Sequence, residues 1–229
     1  MSDDVISMRD MPSLSPTDSR QKRAPQQRAE QTRSVILAAA IELFSSLGFD
    51  GVSLRTIEAH AGVQRGAVAY HFESKDALWR QAIDVVFEKF AAHFASLDST
   101  LRDLAPDLRI RMAITAFVRF SAEVPELSRL MVQEGKQSSW RLDYIIDKHM
   151  RPGFDRLTEI FGAPLDPHTY YFIIGASSMV FNVEYECRSV FGVDPTTDEF
   201  IRDHASRVAD LILHARSQAP REPERGGQS

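Results

Sequence analysis

The sequence predicts an all-α protein: an N-terminal three-helix unit followed by a larger helical domain. Three observations lead there. Apolar residues recur at helical spacing through nearly all of residues 28–216. Start and stop residues fall at the ends of those apolar runs: Ser53, Ser74, Asp166 and Thr197 before them, Gly48, Gly62 and Gly192 after them. No stretch of useful length alternates apolar and polar residues as a half-buried strand does, and there is no internal repeat.

Taken in order, residues 1–27 contain Pro12, Pro16 and Pro25 among Ser, Asp and Gln, and read as a flexible arm with a basic end at Arg20, Lys22, Arg23 and Arg28. Ile36, Ala40, Leu43, Phe44 and Leu47 make one apolar face of a helix that stops at Gly48. Ser53 caps a short helix holding Leu54, Ile57 and Ala61. Gly62 breaks it, and a second short helix is expected from about Gln64 to Phe72. Ser74 caps the next, with Leu78, Ala82, Val85, Val86 and Phe90 on one side.

Helices are then expected near 107–122 (Ile110, Ala113, Ile114, Phe117, Val118) and 125–137, the latter opened by Pro125. A longer one runs from Ser139 to Phe161 and should kink or split at Pro152-Gly153. Asp166-Pro167 opens a long apolar helix reaching about Phe191. Thr197 opens the last, with Phe200, Ile201, His204, Val208, Leu211, Ile212 and Ala215 on its inner side. Residues 217–229, rich in Pro and Gly, read as a disordered tail. The expected domains are therefore an arm (1–27), a helix-turn-helix domain (28–80), a second helical domain (81–216) and a tail (217–229).

Hydrophobic residues are 43% of the 229, enough for a packed core. The net charge of −5 is uneven: residues 20–80 hold nine Lys/Arg against six Asp/Glu, whereas residues 1–19 hold one Arg against four Asp. Such a basic segment beside an acidic body suits a polyanion meeting one part only, although an excess of this size is also ordinary charge scatter. Cys187 is the one cysteine, which excludes an intrachain disulfide. The N-terminus has no apolar signal region, and the longest apolar-rich run, Tyr170 to Val183, is too short for a bilayer. A cytoplasmic protein without a membrane segment is expected.

Residues 53–72 have the layout of a helix-turn-helix: two short helices about Gly62, with Ile57 and Val68 spaced to pack between them. In such a unit the second helix enters the major groove. Gln64 and Arg65 at its start suit adenine and guanine. Gly66, Ala67 and Ala69 keep the surface low, and Tyr70, His71 and Lys75 suit phosphate oxygens. The remaining candidate DNA contacts are Arg28, Arg33, Ser53 and Arg55. An ordinary helical hairpin fits the helix pattern as well.

The residues of this segment say more. Ile36, Leu37, Ala39, Ala40, Leu43, Phe44, Gly48, Phe49, Ser53, Leu54, Arg55, Ile57, Ala61-Gly62-Val63, Gly66, Phe72, Ser74-Lys75 and Leu78 recur at the intervals of a known pattern. Residues 32–80 resemble the DNA-binding domain of the TetR/AcrR family of one-component bacterial regulators. Three positions depart from its commonest form: Gln64 stands where Ser is usual, Glu58 where Ala is usual, and Ala69 where Tyr is usual, with the aromatic one place on at Tyr70. One branch of the family resembles this arrangement, which implies Tyr70 as the phosphate-binding aromatic.

The resemblance implies that the second domain binds an effector and dimerises. The last two long helices are apolar on more than one side, and Gly175, Ala176, Ser177 and Ser178 permit close approach. They would pair with a second copy in a four-helix bundle, or serve as intrachain core. Phe90, Phe117, Met131, Trp140, Tyr144 and Met179 are the candidate lining of an apolar effector pocket, each of which has core packing as its alternative. Arg119, Glu134 and His149 are candidates to orient a polar group of the ligand.

No His pair stands four residues apart, there is no glycine-rich phosphate loop, and Gly175-Ala-Ser177-Ser-Met179 lacks the second glycine of a nucleophile elbow. No cofactor, no metal and no enzyme activity are expected. The expected function is a homodimeric repressor, released from a pseudo-palindromic operator by a small hydrophobic molecule. The alternative is a helical ligand-binding or enzymatic protein of this fold that does not bind DNA.

Overall fold

The computed structural model describes residues 17–218. Among the described residues the secondary structure is helical throughout: α1 (Thr17–Leu47), α2 (Leu54–His60), α3 (Ala67–His71), α4 (Lys75–Ala95), α5 (Asp98–Arg102), α6 (Pro106–Glu123), α7 (Pro125–Glu134), α8 (Trp140–Ile145), a π-helical turn (Ile146–Met150), α9 (Arg151–Phe161), α10 (Pro167–Asn182), α11 (Glu184–Phe191) and α12 (Asp198–Gln218). No helix among them is long and apolar enough to cross a membrane.

Two apolar cores divide the molecule. Ile36, Ala40, Leu43 and Phe44 of α1, Ile57 of α2, Val68 of α3 and Leu78, Trp79, Ala82, Ile83 and Val86 of α4 bury together, and Leu130 of α7 and Ile145 of α8 join them. The second core gathers Leu101, Ile110, Ala113, Ile114 and Val118 with Ile160, Phe161, Ile173 and Phe181, closed by Ala205, Val208, Ala209 and Ile212 of α12. The first core thus runs past residue 80: α4 crosses that point without a break, and α7 and α8 fold back onto the N-terminal helices. Arg109 and Arg216 tie the end of α9 to the rest of the second core, donating to the carbonyls of Ile160 (2.9 Å) and Phe161 (2.7 Å).

Several expected elements differ. Of the arm at 1–27, residues 1–16 lie outside the described residues, and residues 17–27 continue α1. That segment is polar but rich in good helix formers. A helix already nucleated by packing at Ile36 to Phe44 extends without a second nucleation step, and does so here in spite of Pro25, which supplies no N–H to the ladder. Of the tail, Ser217 and Gln218 belong to α12, and residues 219–229 lie outside the described residues. α5 was not expected. The helix expected over 139–161 is divided into α8, a π-helical turn and α9. A π-helical turn precedes Pro152, the Arg151 N–H reaching five residues back to the Ile146 carbonyl, so the ladder loosens where proline supplies no donor.

The long helix expected to reach Phe191 divides at Val183. Arg129 of α7 takes the Phe181 carbonyl at 3.0 Å and so enters the ladder there, and beside it Ser128 donates to the Asn182 side chain at 2.6 Å. Along α10 to α12, Tyr171, Phe172, Met179, Tyr185, Val190, Phe191 and Leu211 remain exposed.

Candidate nucleic-acid interface

α2 begins where Ser53, in extended conformation, accepts the Thr56 N–H at 3.1 Å. Its inner face is Ile57, fully buried against Val68 and the rest of the first core. The chain leaves α2 through Gly62 at φ +64°, and the Val63 N–H returns to the Glu58 carbonyl at 3.1 Å. A second tight turn follows, closed by the Ala67 N–H on the Gln64 carbonyl at 3.0 Å, with Gly66 at φ +90°, ψ −5° as its third residue. That is the conformation a type II turn demands. A Cβ on Gly66 would meet nothing within 4 Å, so the backbone angle, not space, is what asks for glycine.

This turn corrects the expected recognition helix. α3 starts at Ala67, not Gln64, and Gln64 and Arg65 stand on the exposed turn before it. The left-handed Gly66 interrupts the right-handed path that a helix from Gln64 would need. Of the five residues in α3, Val68 is wholly buried, whereas Ala69 and Tyr70 are exposed, Tyr70 at 82% with its ring edge-on to His71. Phe72 turns inward, and Ser74 caps α4 by accepting the Ala77 N–H at 3.0 Å.

The candidate contacts fall into two groups. Ser53 and Arg55 at the start of α2, Gln64 and Arg65 on the turn, and Ala67, Tyr70 and His71 on α3 all belong to the helix-turn-helix; Arg28, Arg55 and Arg65 are exposed. Two other cations are held by protein groups. Arg33 lies over the Phe72 ring at 5.2 Å and donates to Gln81, and Lys75 Nζ sits 4.1 Å over the Phe49 ring.

One important residue has no counterpart among the candidates. Glu58, buried on α2, accepts both the Gly66 N–H (2.8 Å) and the Val68 N–H (3.2 Å) through Oε1. The sequence signal for it was its departure from the usual Ala.

The proposed effector residues do not come together. Met131, Trp140 and Tyr144 pack on the first core, where Trp79 meets Trp140 edge-on at 5.2 Å and Tyr144 at 6.0 Å. Phe90 and Phe117 lie elsewhere, in a cluster with Phe94 and Phe120 between α4 and α6. Met179 is exposed at 56%. Helical spacing identifies an inward face but not which core receives it, and the folding back of α7 and α8 sends these residues apart.

Of the three candidate polar partners, Arg119 is exposed. Glu134 is buried and paired with Arg141 at 2.8 Å, whose guanidinium lies 4.5 Å from the Phe49 ring. His149 is 2.9 Å from Asp84 and stacks on Phe87 at 4.4 Å.

Asp84 makes a joint between α4 and the α8–π segment, accepting from Tyr144 (2.8 and 3.0 Å), Lys148 (2.8 Å) and His149. Burial pushes its carboxyl up, but the hydrogen bonds from Lys148, Tyr144 and His149 outweigh that and hold it below the usual range. Burial pushes His149 down, more than the facing Asp84 carboxylate raises it. No group of three or more metal-ligating side chains occurs among the described residues.

The family described as "Bacterial regulatory proteins, tetR family" matches residues 36–82. The HTH-type transcriptional regulator RutR of Escherichia coli (strain K12) is 26% identical over 194 residues, 79% of this chain and 88% of its own. The uncharacterized HTH-type transcriptional regulator TtgW of Pseudomonas putida is 31% identical over 118 residues, 48% of this chain and 80% of its own. Among solved structures, the hemolysin II transcriptional regulator HlyIIR superposes with a TM-score of 0.57 at 23% identity, over 80% of this chain and 97% of that one. AibR, solved with isovaleryl coenzyme A and operator DNA, gives 0.59 at 17%, over 79% and 97%. At such identities the two structures share the fold.

Proposed function

Because the chain belongs to the TetR family of DNA-binding transcriptional regulators, we propose that it acts as a homodimeric repressor released from its operator by a small hydrophobic molecule. The observation that carries this reading is the helix-turn-helix with its exposed Gln64-Arg65 turn and its anchored Val68. Arg65 is the proposed base reader, with Gln64 beside it. Arg28, Ser53, Arg55, Ala67, Tyr70 and His71 are proposed to lie along the DNA backbone, and Arg33 and Lys75 to reach it by leaving their aromatic partners.

The second copy is proposed to cover the exposed apolar side chains of α10 to α12. Two heads related by a two-fold axis would then meet two half-sites.

The release mechanism rests on α4. Its first turns belong to the first core, and its later residue Phe90 packs with Phe117 and Phe120 of α6. A hydrophobic ligand wedged into this α4–α6 aromatic seam would shift α4 and with it the spacing of the two heads. It would do so only by binding the DNA-incompetent state more tightly.

The test is retention of the full chain on duplex DNA from its own upstream region, measured across salt concentrations. Affinity should fall linearly in log–log form, with a slope of about −0.9 per phosphate neutralised. No retention, or retention indifferent to salt, sinks the repressor reading in favour of a ligand-binding or enzymatic protein of the same fold.

A further inference from the structure

We infer that Glu58 is a positioning residue for DNA recognition: its buried carboxylate, reaching from α2 across the turn, sets where Gln64 and Arg65 stand. The inference rests on the base-reading role proposed for that turn.

α3 cannot hold its own place. It has five residues, little more than one turn, far short of the length at which a helix sustains itself; at its ends the Tyr70 N–H reaches the Gly66 carbonyl (3.1 Å) and the Phe72 N–H the Val68 carbonyl (2.8 Å). Its N-cap is Gly66, which has no side chain to satisfy the first N–H groups. Glu58 supplies what a Ser or Asp cap supplies elsewhere, but from a different helix, so the bond fixes α3 to α2 as well as closing it.

The two amides it holds bracket the left-handed step of the chain. One is the N–H of Gly66, directly after Arg65; the other is that of Val68, the wholly buried anchor of α3. The Glu58 backbone carbonyl adds a third tie, to the Val63 N–H at 3.1 Å. One residue therefore grips the connecting segment on both sides of Gln64-Arg65.

The carboxylate is not half of an ion pair. Among the described residues no Lys, Arg or His comes within ion-pair distance of it. At 7% exposure it depends on the amides for compensation. An Ala at this position, usual in the family, would fill the helix face but leave both N–H groups to other partners.

The experiment is an enrichment of duplexes from a randomised pool by the full-length wild-type chain and by Glu58→Ala and Glu58→Gln, each well below its own unfolding midpoint. Gln keeps an Oε1 acceptor, so E58Q should enrich the wild-type half-site with nearly the wild-type preference. E58A should lose roughly tenfold or more in preference at the bases read by the turn, the size of one bidentate contact. A merely structural role would lower the midpoint of E58A and leave its base preference intact; that result overturns the inference.

Should E58A not fold, amide exchange in the wild-type chain decides. The Gly66 and Val68 amides should be protected well beyond those of exposed turn residues, and exchange as fast as an open loop overturns the inference. If wild type itself enriches no sequence, the DNA-reading premise fails and the inference with it. If wild type enriches a half-site and E58A matches it, the inference alone fails.

Discussion

Arg65 owes its exposure to its neighbour. Gly66 at φ +90° ends the turn from α2 and keeps Arg65 out of α3, so its guanidinium is free of the helix surface. Replacing Arg65 with Ala should relax the preference for one base and cost about 1–3 kcal/mol on the preferred site, with little change on sites already lacking that base. Binding titrations against a half-site and its single-base variants measure this. Uniform weakening on all of them would make Arg65 a phosphate contact instead. Tyr70, at 82% exposure, needs no such neighbour: a large ring with so little packing is available to a partner, as its residue type and position already suggested. Glu58 is the contrary case. Its identity was visible as an oddity, but a carboxylate's partners eight and ten residues away are set by how two helices cross, which residue spacing alone does not state.

At the scale of elements, α4 matters most because it belongs to both halves. Its N-terminal part buries Leu78 and Trp79 in the first core, and Asp84 fastens its middle to Tyr144, Lys148 and His149 around the π-helical turn. Replacing Asp84 with Asn leaves these donors facing a weaker acceptor and should destabilise the protein by about 1–3 kcal/mol, read as a lower urea midpoint at unchanged slope.

The pH dependence follows from the two shifts. Asp84 lies below its unfolded value, so its contribution is full above about pH 4 and is lost as pH falls through the lower folded value. His149 is also pushed down, so the fold prefers the neutral ring. Stability is full above about pH 6.5 and declines as pH falls from there towards the folded value. Both signs point to loss on acidification, in two separate windows. Urea midpoints between pH 8 and pH 5 should fall for wild type and stay flatter for His149→Gln; a midpoint that rises on acidification would contradict this account. The π-helical turn itself was beyond sequence reasoning. Pro152 announced a disturbance, but whether a helix bends or widens at proline depends on what packs around it.

For the whole molecule, the exposed side chains of α10 to α12 are the feature that a single chain leaves unexplained. Met179 is 56% exposed on α10, and Asp at this position would place a charge among the apolar side chains that the proposed dimer buries. Met179→Asp should therefore yield a folded monomer by sedimentation, with unchanged helical content and DNA affinity reduced by at least tenfold through loss of the second half-site. A Met179→Asp chain that remains a dimer with undiminished binding would move the interface elsewhere.

By itself the sequence determined the all-α class, the caps at Ser53, Ser74, Asp166 and Thr197, and the helix-turn-helix with its buried Ile57 and Val68. These follow from short-range periodicity, capping chemistry and the backbone freedom of glycine, all local properties. Only the tertiary structure decided that α7 and α8 return to the first core, that Trp140 and Tyr144 therefore pack beside Trp79 and not with Phe90 and Phe117, and that α10 ends where Arg129 takes a carbonyl. An amphipathic helix says that it must bury one face, but which partner it buries against is settled by the competition of every other apolar face in the chain.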